Sequence, residues 1–305
     1  KNIYRTVGGS MIKVISKLLE DGWNVAYRQL PEGEILGDTN TPFCIIPNTW
    51  RTWEADPFVF QYDGKIYIFA EMFDYITRRG SIGYTQWEKN RFTPWKKVIC
   101  ESFHMSYPNV FLWHNEIYML PETSESRKLL LYKAIRFPEQ WECVRVLAEN
   151  VMWVDTTFFR INDILYAITT DVSDEENHKD YLLTFSDNLD ITKKEQVREC
   201  NIKYSRSGGH FFTYDGKIIR VTQDCSERYG GAIIFSELFP EKVLHMGVTN
   251  ILCHLFPREL KMTEKRTWIG LHTYNGSDQF EVIDIERQHF NIFGLFRRVL
   301  GKVFK

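Results

Sequence analysis

The sequence lacks any apolar run long enough to cross a membrane, and its charges nearly cancel. A helix that spans a bilayer needs about 20 apolar residues, and no stretch of this 305-residue chain reaches that length. The 38 Lys and Arg residues face 40 Asp and Glu residues, which gives a formal charge of −2. A general nucleic-acid-binding surface needs excess positive charge to release counterions. We therefore expect neither a membrane-spanning chain nor a partner for nucleic acid.

The sequence also lacks paired cysteines and a secretory signal. Its six cysteines stand singly, with no CxxC pair, which argues against structural zinc and against a disulfide framework. The early apolar segment, residues 11–19, is short and contains two lysines, so it does not have the form of a signal peptide. It predicts an N-terminal amphipathic helix over residues 1–21. Reduced thiols and the absent signal favour a cytoplasmic location.

Aromatic residues are abundant, at 15% of the chain, and many recur in a repeated phrase. Each copy has a polar opening, an apolar strand, a turn and a second strand rich in aromatics. The opening residues are 51, 48, 52 and 65 positions apart; they are Asp56, Tyr107, Asp155, Ser207 and His272. A period near 50, with room for four strands per unit, is typical of a propeller blade. Two stacked sandwiches would not explain one common phrase.

The repeat predicts an all-β chain with a five-bladed β-propeller over residues 22–288. Asp-Gly and Asn-Gly pairs within the phrases favour tight hairpins, and residues 22–30 are expected to supply an outer strand that closes the ring. Residues 289–305 are expected to form a basic amphipathic helix, because apolar residues at helical spacing alternate with Arg297, Arg298, Lys302 and Lys305. Such a helix can lie on an anionic membrane surface. The alternative is a helix docked on the domain's own core.

Hairpin geometry predicts a polar site at one mouth of the propeller axis. If each phrase is the innermost hairpin of a blade, the residues that open its first strand meet those that end its second. Carboxylates that converge in such a cleft raise one another's pKa. Any one of these residues could instead cap a turn or lie in solvent, but recurrence at equivalent positions favours a role for Asp56 and Asp155. The expected ring contains Asp56, Glu71, Tyr107, Glu122, Asp155, Arg206, His210, Asp224 and His272.

These motifs resemble the β-propeller domain of the glucosamine inositolphosphorylceramide transferase family. The resemblance runs over roughly residues 22–288, and that domain is itself similar to the five-bladed propellers of glycoside hydrolase family 43. It rests on the motifs Ala55-Asp-Pro-Phe, Ser106-Tyr-Pro with Pro121-Glu122, Val154-Asp155, Gln223-Asp-Cys-Ser with Tyr229-Gly-Gly, and His272-Thr. The resemblance implies a carbohydrate-active propeller.

The hydrolases that the fold resembles use three carboxylates: a base, an Asp that tunes the acid, and a Glu acid in the fourth blade. Asp56 and Asp155 match the first two, but the fourth phrase opens with Tyr204-Ser-Arg-Ser-Gly-Gly-His210 and has no carboxylate there. Loss of a positioned acid slows departure of an ordinary sugar alcohol by roughly 10²–10⁴-fold. A nucleotide diphosphate needs a cation instead, which Arg206 and His210 could supply.

The sequence therefore favours a membrane-peripheral glycosyltransferase of glycan biosynthesis that uses an activated sugar donor and a lipid-linked acceptor. Asp56 is the expected base, and Asp155, Glu71 and Glu122 are expected to bind sugar hydroxyls. Asp155 and Glu122 are counted with Asp56 as catalytic residues, and Asp224 as a substrate-binding residue. Trp53, Tyr107 and Tyr229 are expected to stack on sugar faces. One alternative is a glycoside hydrolase in which Glu122 or Asp224 replaces the acid; another is a non-catalytic glycan-binding propeller. The sequence has no DxD motif for a metal-bound donor, although the resemblance implies an axial divalent cation near His272.

Overall fold

A computed structural model describes residues 19–30, 40–174, 176–197, 201, 203–240, 250–277 and 279–290. The first half of the described chain contains the strands β1 (Leu19–Gln29), β2 (Cys44–Ile45), β3 (Thr52–Tyr62), β4 (Lys65–Asp74), β5 (Arg79–Glu88), β6 (Arg91–Phe92), β7 (Lys96–Ile99), β8 (Ser106–Trp113), β9 (Glu116–Glu122), β10 (Lys128–Arg136) and β11 (Gln140–Glu149). The second half contains β12 (Trp153–Ile161), β13 (Ile164–Asp171), β14 (Lys179–Phe185), β15 (Ile191–Gln196), β16 (Phe212–Tyr214), β17 (Lys217–Asp224), β18 (Ala232–Leu238), β19 (Ile251–Leu255), β20 (Tyr274–Gly276) and β21 (Phe280–Phe290). Two 3-10 turns, Ser124–Ser126 and Pro257–Glu259, lie between the strands.

The strands form five antiparallel sheets, which confirms the predicted five-bladed propeller. Blade one holds β3 to β7, blade two β8 to β11, blade three β12 to β15, and blade four β16 to β19. Blade five combines β20 and β21 with β1 and β2 from the other end of the chain. Eleven residue pairs join β1 to β21, from Leu19 opposite Phe290 to Gln29 opposite Phe280. The N-terminal strand therefore closes the ring, as predicted, and it does so as the third strand of its blade.

Two predicted boundaries shift at the ends of the propeller. Residues 19–21 were expected in the N-terminal helix and residues 289–290 in the C-terminal helix, but both belong to the long β1–β21 pair. Main-chain pairing across that ladder outweighs their helical pattern. The rest of the two predicted helices, residues 1–18 and 291–305, lies outside the described residues.

Tight turns close the innermost hairpins of blades one to four. In each turn both central residues have positive φ, as a two-residue hairpin turn of this hand requires; they are Asp63-Gly64, His114-Asn115, Asn162-Asp163 and Asp215-Gly216. Blade five differs, because Asn275 and Gly276 end strand β20 and the turn follows them. The side chain of Asn275 instead donates to the carbonyl of Pro57 at 2.6 Å, which ties blade five to blade one.

The hydrophobic core is divided into five clusters, one between each pair of neighbouring blades. Between blades one and two, for example, the buried rings of Phe69 and Tyr84 face Met119 and Tyr132. Most of the repeated aromatics therefore serve blade-to-blade packing. Polar residues line the propeller axis, and the candidate site lies there.

Candidate functional site

Blades one, two and three each turn one residue toward the propeller axis by the same backbone device. In blade one, Ala55 pairs with Glu71 and Phe58 with Phe69, so Asp56 and Pro57 share the single position opposite Ala70. Blades two and three have equivalent bulges. Their first bulge residues have left-handed φ values; these are Asp56 (51°), Tyr107 (46°) and Asp155 (50°). Such φ values are costly outside glycine and cluster at functional sites.

Asp56 lies in a buried cluster with His272 and Asp284. The His272 ring stands between the two carboxylates, with Nε2 3.5 Å from Asp56 Oδ1 and Nδ1 2.5 Å from Asp284 Oδ2. Asp56 also accepts hydrogen bonds from the Thr273 hydroxyl at 2.9 Å and the Tyr107 amide at 3.2 Å. The Asp56 amide donates to Asp284 at 3.0 Å. Blades two and five therefore hold the Asp56 carboxylate, which blade one supplies.

The protonation of this cluster follows from its burial and its charges. Burial raises the pKa of Asp56 to about 6, which the His272 charge limits and the Asp284 and Asp155 charges reinforce. Burial alone would lower the pKa of His272, but the carboxylates of Asp284 and Asp56 raise it to about 9. His272 is therefore an imidazolium near neutral pH, while Asp56 can gain or lose a proton there.

The predicted axial cation site falls on these same three residues. Their ligand atoms all lie within 4.8 Å of one another and are buried, as a metal site requires. Each of the four carboxylate oxygens already accepts at least one hydrogen bond or contacts His272. A divalent cation would also have to displace the His272 proton. The residues fit a carboxylate–imidazolium–carboxylate cluster better than a metal centre, so no chemical step is assigned to a metal.

Asp155 binds the guanidinium of Arg206, which reaches the axial site from blade four. Its Oδ2 accepts from Arg206 Nε and from Gln223 Nε2, the latter at 3.1 Å. Glu122 lies on the other side of Arg206, with Oε2 3.7 Å from Nη2. Burial raises the pKa of Asp155 to about 6 and the Arg206 charge restrains that rise. Arg206 thus brings a guanidinium to the axial site from blade four.

Aromatic rings border the mouth beside this cation. The guanidinium of Arg206 lies 5.2 Å from the ring centre of Tyr229, and that half-exposed ring also meets His272 edge-on at 5.4 Å. Trp23, from the closing strand, stacks on His272 with ring centres 4.0 Å apart. Tyr229 is therefore placed to offer its ring to a sugar at the mouth. Trp23 instead packs against the His272 ring.

Glu71 is buried at the end of β4 and pairs with His104. The Nδ1 atom of His104 accepts from the Gly80 amide at 3.0 Å, which leaves the proton on Nε2, 3.4 Å from Glu71 Oε1. A side chain at Gly80 would collide with Glu71, since an added Cβ would lie 2.4 Å from Oε1. Burial, then the Asp56 and Glu122 charges, raise the pKa of Glu71 well above its usual range. Burial therefore favours the protonated form of Glu71.

Two predicted site residues lie in the floor of the site and cannot contact a sugar at the mouth as expected. Tyr107 is fully buried and its hydroxyl bonds Thr157 at 2.8 Å, because the bulge directs its ring inward. His210 bonds Asn109 Oδ1 at 2.9 Å through Nε2. Burial lowers the pKa of His210 to about 4, so it is neutral and adds no positive charge to Arg206. The edge-on ring of Phe58 meets both rings.

Two other predicted residues contact side chains outside the axial cluster. Trp53 has one face covered by Phe73, with ring centres 4.5 Å apart. Asp224 follows Gln223, and successive residues of a strand point to opposite faces. Since Gln223 faces Asp155, Asp224 faces outward, where its Oδ2 lies 3.5 Å from His254 Nδ1. The expectation that Asp224 replaces the missing acid therefore has no geometric support.

Sequence reasoning missed Asp284, Trp23 and His104. Asp284 had a signal, because it ends the fifth phrase at the position that corresponds to Glu71 and Glu122 in their blades. Trp23 acts across the ring closure and His104 lies between repeats, so the repeat pattern could not indicate either.

Within the described residues, no helix is long and apolar enough to cross a bilayer. The five described cysteines are free thiols.

The fold and site define a five-bladed propeller with a buried acidic cluster and, beside it, the Arg206 guanidinium at an axial mouth. Two solved structures share the fold: a glycoside hydrolase family 62 α-L-arabinofuranosidase domain from Coprinopsis cinerea (TM-score 0.51, 10% identity, 85% of this chain and 97% of that one), and a family 43 enzyme from Xanthomonas citri (TM-score 0.52, 10% identity, 68% and 77%). At such identities the likeness concerns the fold alone.

The sequence itself identifies the family. Residues 47–275 match the family described as "Glucosamine inositolphosphorylceramide transferase 1, N-terminal", and the chain belongs to it. The transferase of that name from Arabidopsis thaliana is 31% identical over 231 residues, which cover 72% of this chain and 30% of the relative. The protein of the same name from Oryza sativa subsp. indica is 27% identical over 211 residues, 64% of this chain and 28% of the relative. The predicted family is confirmed, although the chain spans under a third of these relatives.

Proposed function

We propose that this propeller binds and transfers a sugar from an activated donor to a glycan acceptor at the axial mouth. The observation that carries the proposal is Arg206, a cation held by Asp155 where the related fold would need an acid. A diphosphate leaves as an anion and is stabilised by a guanidinium without receiving a proton. The relatives' name, which describes a transferase, supports the same reaction class.

The chemistry assigns a role to each group at the mouth. Asp56 takes the proton from an acceptor hydroxyl as that oxygen forms its bond to the anomeric carbon of the donor. The bond from that carbon to the diphosphate oxygen breaks, and its electron pair stays on the diphosphate beside Arg206. A base with a pKa of about 6 suits proton transfer near neutral pH. His272 and Asp284 position Asp56, while Glu122 and Tyr229 contact the sugar.

The direct test is release of nucleotide from a panel of sugar nucleotides. Asp56→Asn is expected to lower the rate roughly 10²–10⁴-fold, because it removes the base. Asp63→Asn is the matched control, since Asp63 lies in the hairpin turn of the same blade at the opposite end of the strands. It should retain full activity. If none of the sugar nucleotides binds or is turned over, the proposal is contradicted.

A second candidate, glycoside hydrolysis, is favoured by Glu71. A carboxyl whose pKa is raised by burial can act as a general acid, and burial together with the Asp56 charge raises the pKa of Glu71. Aryl glycosides with good leaving groups test this candidate: their hydrolysis should fall in Glu71→Gln. Sugar binding that is unchanged in Asp56→Asn, with no turnover of either substrate class, would instead favour a non-catalytic glycan-binding propeller.

We also propose that the mouth faces a membrane on its cytoplasmic side and accepts a lipid-linked substrate. The β21 strand runs from its turn past Asp284 toward the mouth side, where Phe290 pairs with Leu19. Strand β21 therefore ends on the side that carries the site, and the sequence that follows it, residues 291–305, contains four Lys and Arg residues and no Asp or Glu. Arg297→Glu with Arg298→Glu should abolish sedimentation with anionic liposomes while unfolding stays unchanged. Equal sedimentation of both proteins would contradict this orientation.

A further inference from the structure

A second cavity lies beside the axial mouth, between blade four and the segment that leads into blade five. Its volume is ≈390 Å³. The ends of β17 and β19, the start of β18 and the 3-10 turn Pro257–Glu259 form its walls. Trp268 and Ile269, just before blade five, close the remaining side. None of these residues belongs to the acidic cluster around Asp56.

The cavity and the axial site share one wall, the loop of residues 225–231. On the axial side of this loop, the Tyr229 ring contacts Arg206 and His272. The preceding residue, Arg228, lines the cavity and pairs with Glu286. At the start of the loop, Gln223 faces Asp155 while Asp224 faces His254 in the cavity. A ligand chain that extends over the loop would pass from one site directly into the other.

The lining chemistry discriminates among ligand classes. It contains two carboxylates, two guanidinium groups and one imidazole, so neither sign of charge dominates; these belong to Asp224, Glu227, Arg228, Arg258 and His254. A phosphate group would meet two carboxylates there, and an apolar ligand would desolvate charges without pairing them. A saccharide offers hydroxyl groups that donate and accept, together with apolar C–H faces. The lining ring of Trp268 suits those faces, whereas the Phe256 ring is packed against His254 and Arg258.

We propose that this cavity is a second saccharide subsite, which binds a neutral sugar unit of a glycan whose terminal unit lies at the axial mouth. The inference rests on the proposed function in so far as the substrate is a glycan. It adds that the substrate is longer than one sugar and that recognition extends toward blade five. Affinity should therefore rise with chain length, and the gain should depend on the cavity.

The test fills the cavity without altering the axial cluster. Ser226 lines the cavity, and its amide caps Asp224 Oδ1 at 2.9 Å. Blade three has the equivalent turn, in which the Ser173 amide caps Asp171 at 3.0 Å. Ser226→Trp is thus the blocking variant and Ser173→Trp its matched control. The probes are mono-, di- and trisaccharides of the best-binding sugar from a glycan array, measured by calorimetry.

Ser226→Trp should weaken trisaccharide binding about tenfold, or about 1.4 kcal/mol, and leave monosaccharide binding unchanged. Ser173→Trp should change neither. Equal affinities of Ser226→Trp and wild type for every length would overturn the subsite while the axial proposal stands. If the wild-type protein binds no saccharide at all, the proposed function fails together with the subsite. Pyrophosphate binding that Ser226→Trp abolishes, without saccharide binding, would reassign the cavity to an anion.

Discussion

Blades one to three and blade four have the same innermost hairpin but differ where that hairpin meets the axis. In the first three blades, one extra residue bulges and carries a side chain inward from a left-handed φ. In blade four, Ser207 bridges Thr222 and Phe212 pairs with Ile219, so residues 208–211 lie opposite only two residues. Two glycines occupy that longer excursion. Blades one to three thus deliver a side chain to the axis from this bulge, whereas the same stretch of blade four brings its backbone against blade five.

The glycine at the centre of this difference carries the largest predicted effect. Gly209 has φ 149°, and an added Cβ would lie 1.9 Å from the carbonyl oxygen of Tyr274. Since a main-chain oxygen cannot move aside cheaply, we expect Gly209→Ala to lower the free energy of unfolding by roughly 3 kcal/mol or more. Urea unfolding, followed by tryptophan fluorescence, measures the change.

The control for this variant lies in the same blade. Gly216 also has positive φ, 72°, but nothing lies within 4 Å of an added Cβ. Gly216→Ala should therefore cost only about 1 kcal/mol, the backbone penalty alone. Similar losses in the two variants would mean that blade four does not depend on close approach to blade five.

The same comparison explains how far the sequence predicts the fold and the site. The three regular bulges recur in one phrase, so their spacing predicts both the blades and the inward residues Asp56 and Asp155. Blade four breaks the phrase, and its pattern does not show that His210 would lie in the floor. Tyr107 was expected at the mouth because spacing gives the position of a residue but not the depth of its ring. The His272 contact with Trp23 depends on ring closure between the chain ends, which no local pattern contains.

His210 in blade four makes the stability of the protein depend on pH in the acidic range. His210 is neutral in the folded protein, because burial lowers its pKa to about 4, whereas in the unfolded chain it titrates near 6.5. Between these values only the unfolded state binds the proton, so stability falls as the pH drops from about 6.5 to 4. Because the side chain is partly exposed, the loss is smaller than the full difference in pKa would give. We therefore expect His210→Gln to remove roughly 2 kcal/mol of it.

Urea unfolding of wild type and His210→Gln at pH 7, 5.5 and 4 measures this difference. Gln can still donate to Asn109, so the two proteins should differ little at pH 7. His114→Gln is the control, because that side chain is 62% exposed in the hairpin turn of blade two. Parallel pH profiles for wild type and His210→Gln would show that His210 is not held neutral by the floor.

The smallest expected effect concerns two exposed tyrosines of blade four, which should differ in their contribution to sugar binding but not to stability. Tyr229 is half-exposed beside Arg206, and Tyr214 is similarly exposed in the hairpin at the other end of the same blade. Replacement of either by Ala should change stability by only about 0.5 kcal/mol. If blade four contributes recognition at the mouth, Tyr229→Ala alone should weaken monosaccharide binding about fivefold, roughly 1 kcal/mol, by loss of ring stacking. Equal binding by both variants would leave Arg206 as the blade's contribution, and the sugar would then be held by blades one to three.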